Sequence, residues 1–236
     1  MNDFDLRTTI FACAVALAGC INETVSSKDV RTGGIAALIG VEAPSDTLST
    51  VYVTLLVGGD ESNTFVHLEG GDRLWAEAAG DRRAMDEEET GFYTTAFPTA
   101  DGDTEFRVVL QRSVDETASE NVGVLPDPLT LEVPEEVSRA EDLFVTWSPS
   151  GREDDVSLDV QGDCLGNSTD IDVPGDPGNW VIPAGTLRSN DGENALTCSP
   201  TVTLSRRRSG AVDPAFDSES TFELAQVRRA VFVSTP

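Results

Sequence analysis

Apolar residues recur at every second position in several stretches of the chain, with polar residues common between them. The apolar positions of three such stretches are Val51, Val53, Leu55 and Val57; Leu143, Val145 and Trp147; and Val156, Leu158 and Val160. A period of two is typical of a β-strand that buries one of its faces. Turn residues separate these stretches at intervals of roughly eight to twelve residues, and this spacing predicts an all-β sandwich or barrel.

Two local details of the pattern make further predictions. A Glu69–Asp72 turn with two glycines separates the short apolar stretches 65–68 and 73–78, which predicts a β-hairpin. In the last predicted strand, Phe222 to Val233, the apolar positions change parity between Leu224 and Val227. Such a shift predicts a β-bulge.

Two prolines interrupt the pattern near its middle, at Leu125-Pro126-Asp127-Pro128. Proline has no backbone N–H to give to a sheet and favours a stiff, extended link. The alternation restarts after this point. We therefore predict two β-sandwich domains, residues 33–125 and 126–236, of ordinary domain size.

The N-terminus carries a different pattern, an apolar run from Ile10 to Ala18 that begins shortly after Arg7. A helix that crosses a membrane needs roughly 20 apolar residues, so this run is too short to cross one. A short apolar run that ends in small residues instead predicts an export signal. The closing Leu17-Ala18-Gly19-Cys20 resembles a bacterial lipobox. The resemblance implies cleavage before Cys20 and acylation of that cysteine, so that residues 1–19 form the signal peptide and residues 20–32 a polar, lipidated tether.

Two other interpretations of the N-terminus stay open. An ordinary secretory signal with a chance cysteine near its cleavage site would have a similar sequence. Asp3 and Asp5 are also unusual before an export signal, and a translation start at Leu6 would remove them. If Cys20 is lipidated, the absence of an aspartate at position 21 favours placement in the outer membrane of a bacterial envelope, on its periplasmic or surface face.

The formal net charge of the chain is −26 at pH 7. Such a charge repels phosphate backbones, so nucleic acid is excluded as a partner. Of the four cysteines, Cys13 lies in the signal and Cys20 carries the lipid, which leaves Cys164 and Cys198. An even pair in an oxidising compartment predicts a disulfide, with two buried free thiols as the alternative.

The second half of the chain is similar to the immunoglobulin-like modules of bacterial lipoproteins that have no assigned activity. The segments that carry the resemblance are Val124–Pro126, Leu143–Pro149, Gly162–Cys164, Ile182–Gly185, Cys198, Arg206–Arg208, Asp213–Phe216 and Phe232–Pro236. The resemblance implies two tandem immunoglobulin-like β-sandwiches. It implies a location at the envelope but no catalytic residue.

Motifs for catalysis are absent from the sequence. His67 is the only histidine, and its place in a short apolar strand favours a structural role over that of a catalytic base. The sequence contains no Gly-x-Ser-x-Gly elbow, no His-Glu-x-x-His and no phosphate-binding glycine loop. Carboxylate pairs for glycoside hydrolysis are not excluded, because the chain has 42 aspartates and glutamates.

Three kinds of side chain remain as candidates for binding. Asp101, Asp103 and Glu105, or more weakly Asp170 and Asp172, have oxygens that suit Ca²⁺, although a solvated acidic turn is favoured and we predict neither metal nor cofactor. The Arg206–Arg208 run and Arg228-Arg229 either pair with acidic residues across strands or contact an anionic envelope polymer. Among the tryptophans, Trp147 and Trp180 are expected in the core, and Trp75 is the candidate exposed aromatic.

These observations favour one function over a second. The leading hypothesis is a non-catalytic envelope lipoprotein, held in the membrane by lipid on Cys20, that acts as a binding or spacer module for an envelope polymer or protein partner. The alternative is a carbohydrate-directed hydrolase or its accessory carbohydrate-binding domain. A cleft with two facing carboxylates would favour the hydrolase, and a closed sandwich would favour the module.

Overall fold

The computed structural model describes residues 23–151, 154–189 and 197–236, so the predicted signal peptide and Cys20 lie outside the described residues. Within these ranges the chain forms β-strands and two short 3-10 turns, and no helix there is long and apolar enough to cross a membrane. The strands are β1 Glu23–Ser26, β2 Ile35–Ser45, β3 Leu48–Val57, β4 Thr64–His67, β5 Arg73–Ala78, β6 Asp81–Ala84, β7 Asp86–Glu89, β8 Phe92–Phe97, β9 Glu105–Gln111, β10 Ala118–Val124, β11 Thr130–Glu132, β12 Glu136–Ser138, β13 Leu143–Ser148, β14 Asp155–Gln161, β15 Thr169–Val173, β16 Asn179–Ile182, β17 Thr201–Ser209, β18 Thr221–Val231 and β19 Val233–Thr235.

One sheet of ten strands, here the long sheet, forms the base of the molecule. Its order is β1-β4-β3-β2-β18-β17-β14-β15, and β8 and β7 continue it beside β3. Two smaller sheets cover it: the first small sheet, β10-β9-β5-β6, and the second small sheet, β11-β13-β16. Each small sheet encloses its own hydrophobic core against the long sheet, which makes two sandwiches.

The first sandwich packs the first small sheet against β2, β3 and β8. Its core takes Ile39 and Val53 from the long sheet and Leu74, Val108 and Leu110 from the first small sheet. The period-two positions of the sequence supply these residues, since one face of each strand is buried. The turn between β5 and β6 needs two residues with positive φ, and Ala79 (52°) and Gly80 (83°) provide them.

The second sandwich packs β11, β13 and β16 against β14, β15, β17 and β18. Its core contains Leu143, Val145 and Trp147 opposite Leu158 and Leu204, and all five are buried. Leaving out the short β12, strands β14, β17 and β18 are the third, sixth and seventh of this sandwich in chain order, and they share the sheet that faces β11, β13 and β16. This arrangement is typical of an immunoglobulin-like sandwich. The prediction of an all-β fold with two immunoglobulin-like sandwiches is therefore confirmed.

Strand β18 belongs to both sandwiches. Residues 221–226 pair in parallel with β2, while residues 223–231 pair with β17. The chain passes from the first core to the second between Leu125 and Leu129, where the sequence predicts a domain boundary, but Phe222 and Leu224 return to the first core. The first sandwich is thus completed by residues from the range assigned to the second domain.

Two local predictions are wrong. The stretches on either side of Gly70-Gly71 do not form a hairpin, because β4 pairs with β1 and β3 in the long sheet whereas β5 pairs with β6 and β9 in the first small sheet. The predicted bulge in the last long strand is also missing, because β17 and β18 pair without a register shift. Val227 is buried on the other face of that strand, and this burial explains the change of apolar parity.

The expectation of a free tether over residues 20–32 is wrong for residues 23–32. Strand β1 pairs in parallel with β4, and both Ser27 and Thr32 are buried. The polar composition of this segment suggested that it buries too little apolar area to become ordered. The structure orders it by another means, with hydrogen bonds to its backbone from a buried arginine, described next.

Candidate functional site

Arg112 holds the N-terminal segment against the first sandwich. Its side chain is fully buried at the end of β9 and donates hydrogen bonds to the carbonyl oxygens of Ser27 (2.6 Å) and Val30 (2.9 Å) and to Thr32 Oγ1 (3.0 Å). Its Nε lies 2.8 Å from Asp72 Oδ2. We call Arg112 and Asp72, with the three residues that Arg112 contacts, the N-terminal clamp.

The carboxylate of Asp72 is charged in this setting. Burial on its own would raise the pKa of Asp72, but hydrogen bonds from the backbone and side chain of Ser113, together with the charge of Arg112, hold that pKa below its usual value. The Ser113 amide donates to Asp72 Oδ1 over 2.7 Å, and the Ser113 hydroxyl donates to the same oxygen over 2.8 Å. Asp72 therefore remains an anion opposite Arg112 at neutral pH.

A second buried arginine lies at the seam, the contact region between the two sandwiches. Arg206 of β17 is 1% exposed, and its Nη2 lies 2.7 Å from Asp176 Oδ2. Arg206 also donates to the carbonyl oxygens of Asp127 and Pro149, and Trp147 Nε1 donates to the other carboxylate oxygen of Asp176. These bonds connect the link between the sandwiches to the second core.

Gln226 of β18 completes the seam. It is fully buried, and its Nε2 donates to the carbonyl oxygens of Ala100 (2.8 Å) and Pro126 (3.1 Å). Nearby, the Leu224 side chain packs directly against Gly123 of β10, in the space that a side chain at position 123 would occupy. The glycine therefore allows the first small sheet to approach β18 closely. The seam is thus buried and polar, and hydrogen bonds from Arg206 and Gln226 hold the link 126–128.

The other arginines of the predicted basic run also pair within the protein. Arg208 Nε lies 2.8 Å from Asp154 Oδ1, and Arg207, on the opposite face, lies near Glu223 and donates to Ser157 Oγ. The pleat therefore separates Arg207 from its neighbours, and cross-strand pairing describes the run. Arg228 and Arg229 pair likewise with Asp46 and Glu42.

Cys164 and Cys198 form the predicted disulfide. Their Cα atoms are 6.0 Å apart, within the usual range for a disulfide. Cys164 lies in the loop after β14. Cys198 lies just before β17 and forms an isolated backbone β-bridge with Ser234. Arg139 is buried beside this bond and donates to Ser234 Oγ over 3.0 Å.

His67 lies beside Glu87 within the first sandwich. Its Nδ1 lies 2.7 Å from Glu87 Oε2, while Glu87 Oε1 accepts hydrogen bonds from the Tyr93 hydroxyl (3.1 Å) and the Gly91 amide (3.0 Å). Burial would raise the pKa of Glu87, but the hydrogen bonds from His67, Gly91 and Tyr93 lower it; burial and the nearby Glu87 raise the pKa of Tyr93. The group holds β7 and β8 against β4 and gives His67 a structural role.

One pair of facing carboxylates occurs on the outer face of the second sandwich. Asp159 of β14 lies directly opposite Asp170 of β15, and burial followed by the charge of Asp170 raises the pKa of Asp159. Asp159 is half-buried and Asp170 is exposed, side by side on the outer face of these two strands. A glycosidase places its two carboxyl groups on either side of the bond that it cleaves, and neighbours on one strand face do not have that arrangement.

Among the described residues, no three histidine, cysteine or acidic side chains are grouped to hold a metal ion. Asp101 and Asp103 instead lie in the turn before β9, where the Asp103 amide donates to the Leu125 carbonyl. Glu105 is the first residue of β9 and lies 3.6 Å from Arg107. Asp172 faces Ser157 across β14 and β15. The structure therefore does not bring the candidate calcium ligands together.

The tryptophans lie mostly as expected. Trp147 is buried, and Trp180 is half-buried against the second core. Trp75 lies half-exposed on the outer face of the first small sheet, opposite in direction to the buried Leu74 and Ala76. The Arg82 guanidinium stacks 4.7 Å from the centre of the Trp75 ring, so one face of that ring is already covered.

Sequence reasoning missed Arg112 and Asp176. Arg112 follows the inward-facing Phe106, Val108 and Leu110 at the same parity, and this is the one signal that points to its burial. No comparable signal marks Asp176, which lies in a loop between β15 and β16.

No protein family matches the chain, and no curated protein matches it either. Among solved structures, the chain is similar to a segment of two fibronectin type III domains from chicken tenascin. The identity is 11%, the TM-score is 0.28, and the match covers 84% of this chain and 97% of that chain. At this TM-score the likeness supports no argument, and the two sandwiches rest on the strand order and cores described above.

Proposed function

We propose that the chain is a non-catalytic lipoprotein of a bacterial envelope, held by lipid on Cys20, that acts as a rigid spacer or binding module. The observation that carries the proposal is the long sheet, which continues through both sandwiches without a hinge. The buried Arg206–Asp176 pair and Gln226 at the seam support it further, because they tie the link between the sandwiches to both cores.

A rigid body of this kind suits a spacer. Domains joined by a free linker move relative to each other, whereas two sandwiches that share β18 keep a fixed geometry. The N-terminal clamp extends this rigidity to within a few residues of Cys20. The hydrolase alternative gains no support from the Asp159–Asp170 pair, since the two residues are cross-strand neighbours on one sheet face and do not flank a cleft.

The partners in this proposal are the membrane and a further envelope component, a polymer or a protein. Placement in the outer membrane remains part of the proposal. Without residues 1–19, whose Asp3, Asp5 and Arg7 sum to −1, the formal charge of −26 becomes −25, which keeps such a module in solution and disfavours self-association.

Substitution of the anchor tests the proposal. Cys20→Ser removes the thiol that would be acylated, so we expect the variant to leave the membrane fraction or to accumulate with its signal attached. The measurement is detergent-phase partitioning of the variant beside the unchanged chain, with protein size read on the same gel. Partitioning of Cys20→Ser into detergent to the same extent as the unchanged chain contradicts the lipid anchor.

A further inference from the structure

We propose that the end of the first sandwich around Glu23 lies against a zwitterionic lipid surface, the membrane that holds the acyl chains of Cys20, with the second sandwich directed away from it. This inference rests on the proposed lipid anchor. It adds an orientation and a contact surface, which the anchor alone does not determine.

The first step is the reach of the chain. Glu23 follows Cys20 by three residues, and an extended chain spans at most about 3.5 Å per residue, so Glu23 lies within about 10 Å of the lipidated cysteine. Glu23 is itself fixed: its amide donates to the Asn63 carbonyl over 3.1 Å, and it pairs with Thr64. Because the N-terminal clamp holds the residues that follow β1, the lipid connects to a rigid body.

The second step identifies the elements beside Glu23. Strands β1, β4 and β2 begin at this level and β3 ends here, as the pairing of Ile35 with Val57 shows. The loops 58–63 and 217–220 lie beside these strand ends. The Asp217 amide donates to the Ile35 carbonyl (2.9 Å), and the Asp60 amide donates to the Glu219 carboxylate (3.1 Å). We call Glu23 with residues 58–63 and 217–220 the anchor-side end.

The third step gives the direction of the second sandwich. Leu38 lies three residues beyond Ile35 and pairs with Thr221, and β18 then runs ten residues further to Val231. At about 3.3 Å per residue, Val231 lies roughly 40 Å along the sheet from the anchor-side end. The reach from Cys20 is about a quarter of this distance, so only the anchor-side end meets the lipid.

The fourth step concerns the lipid itself. The anchor-side end carries five carboxylates and no arginine or lysine; these acidic residues are Glu23, Asp60, Glu61, Asp217 and Glu219. The Debye length at physiological salt is about 8 Å, close to the reach of the chain, so these charges act on headgroups at the contact distance. Anionic headgroups would repel this end, and zwitterionic headgroups would accept it.

The test uses the full lipidated chain in phosphatidylcholine vesicles that carry a short-range nitroxide quencher on their headgroups. A fluorophore is attached through Glu61→Cys at the anchor-side end or, as the matched control, through Val231→Cys, which is exposed at the far end of β18. We expect quenching at position 61 and none at position 231. Equal quenching at the two positions, or stronger quenching at 231, overturns the orientation.

Two further variants separate the steps. A flexible Gly/Ser insert of about 20 residues between Asn22 and Glu23 has a root-mean-square reach of about 25 Å, so quenching at position 61 should be lost while the protein stays vesicle-bound. Retained quenching contradicts the argument from reach. Replacement of half the lipid by phosphatidylglycerol should reduce quenching at low salt and restore it at high salt; no change contradicts the choice of lipid.

Failure of the anchor and failure of the orientation give different results. If the unchanged chain does not float with the vesicles, or if Cys20→Ser floats with them equally well, the proposed anchor is wrong and the orientation falls with it. If the unchanged chain floats and Cys20→Ser does not, the anchor stands. Equal quenching at positions 61 and 231 then refutes the orientation alone.

Discussion

The seam between the sandwiches makes a quantitative prediction for Arg206→Met. The substitution removes the cation that faces Asp176 and leaves that carboxylate buried opposite an apolar side chain. It also removes the donors to the carbonyl oxygens of Asp127 and Pro149. We expect both sandwiches to lose stability together, because the pair lies where they meet.

The size of the effect follows from the burial of the pair. Removal of one partner from a buried ion pair costs about 3–5 kcal/mol, since the remaining charge stays desolvated. With a loss of about 4 kcal/mol and a urea slope of about 3 kcal/mol per M, the midpoint of unfolding should fall by roughly 1.3 M. Arg207→Met is the matched control: this arginine is partly exposed and 4.0 Å from Glu223, so its loss should cost less than about 1 kcal/mol.

The tryptophans allow each sandwich to be observed separately. Trp75 reports on the first sandwich, while Trp147 and Trp180 report on the second. Urea unfolding is followed by fluorescence in two backgrounds, one with Trp75→Phe and one with Trp147→Phe and Trp180→Phe. In each background we expect a single transition, and Arg206→Met should lower the midpoint of that transition. The two backgrounds differ in their own midpoints, because Trp147→Phe also removes the donor to Asp176.

Two results would refute this reasoning. If Trp75 unfolds at an unchanged urea concentration while the second sandwich shifts, the shared sheet does not couple the sandwiches. If Arg206→Met shifts the midpoint no more than Arg207→Met does, the ion pair contributes no more than a surface contact. Asp176→Leu added to Arg206→Met should regain part of the loss, because no unpaired charge then remains buried.

Two further predictions concern the second sandwich. Reduction of the Cys164–Cys198 bond, whose partners are 34 residues apart, should cost about 3.8 kcal/mol by the loop-entropy model and lower the melting temperature; two alkylated cysteines in the unfolded, non-reduced protein would show that the bond is absent. Asp159→Asn should raise stability at pH 7 by about 0.5 kcal/mol, because it removes a like-charge pair directly opposite Asp170. Because the pKa of Asp159 is raised in the folded state, protonation of this carboxyl stabilises the fold fully below the unfolded pKa of about 3.9, and this stabilisation is lost as the pH rises through the folded pKa. The stability gained by Asp159→Asn should therefore vanish at low pH. Thermal melts that show the same gain at pH 7 and at low pH would contradict the prediction.

The period-two pattern predicted the buried faces well, because a strand with one buried face has no other way to arrange its side chains. The same parity places Arg206 inward after Val202 and Leu204, and all three are buried. A charged residue on the inward face must find a partner, so the parity points to an ion pair. It does not identify Asp176, since that partner comes from a loop 30 residues away in the sequence.

Long-range pairing accounts for the predictions that were wrong. The Gly70-Gly71 turn predicts a hairpin wrongly because a turn signal is local and does not tell whether the flanking strands enter the same sheet. The parallel pairing of β2 with β18 joins residues about 183 positions apart, and neither strand carries a pattern that names the other. The packing of residues 23–32 depended likewise on Arg112, about 80 residues away.

The shared strand β18 has a consequence for the order in which the chain can fold. Until residues 221–226 are in place, the inner edge of β2 has no partner, and the first core lacks Phe222 and Leu224. An unpaired strand edge beside an open core is prone to pair with other chains. The first sandwich therefore cannot finish folding until residues 221–226 are available, and a chain cut short before residue 221 should leave both sandwiches open to proteases and chaperones.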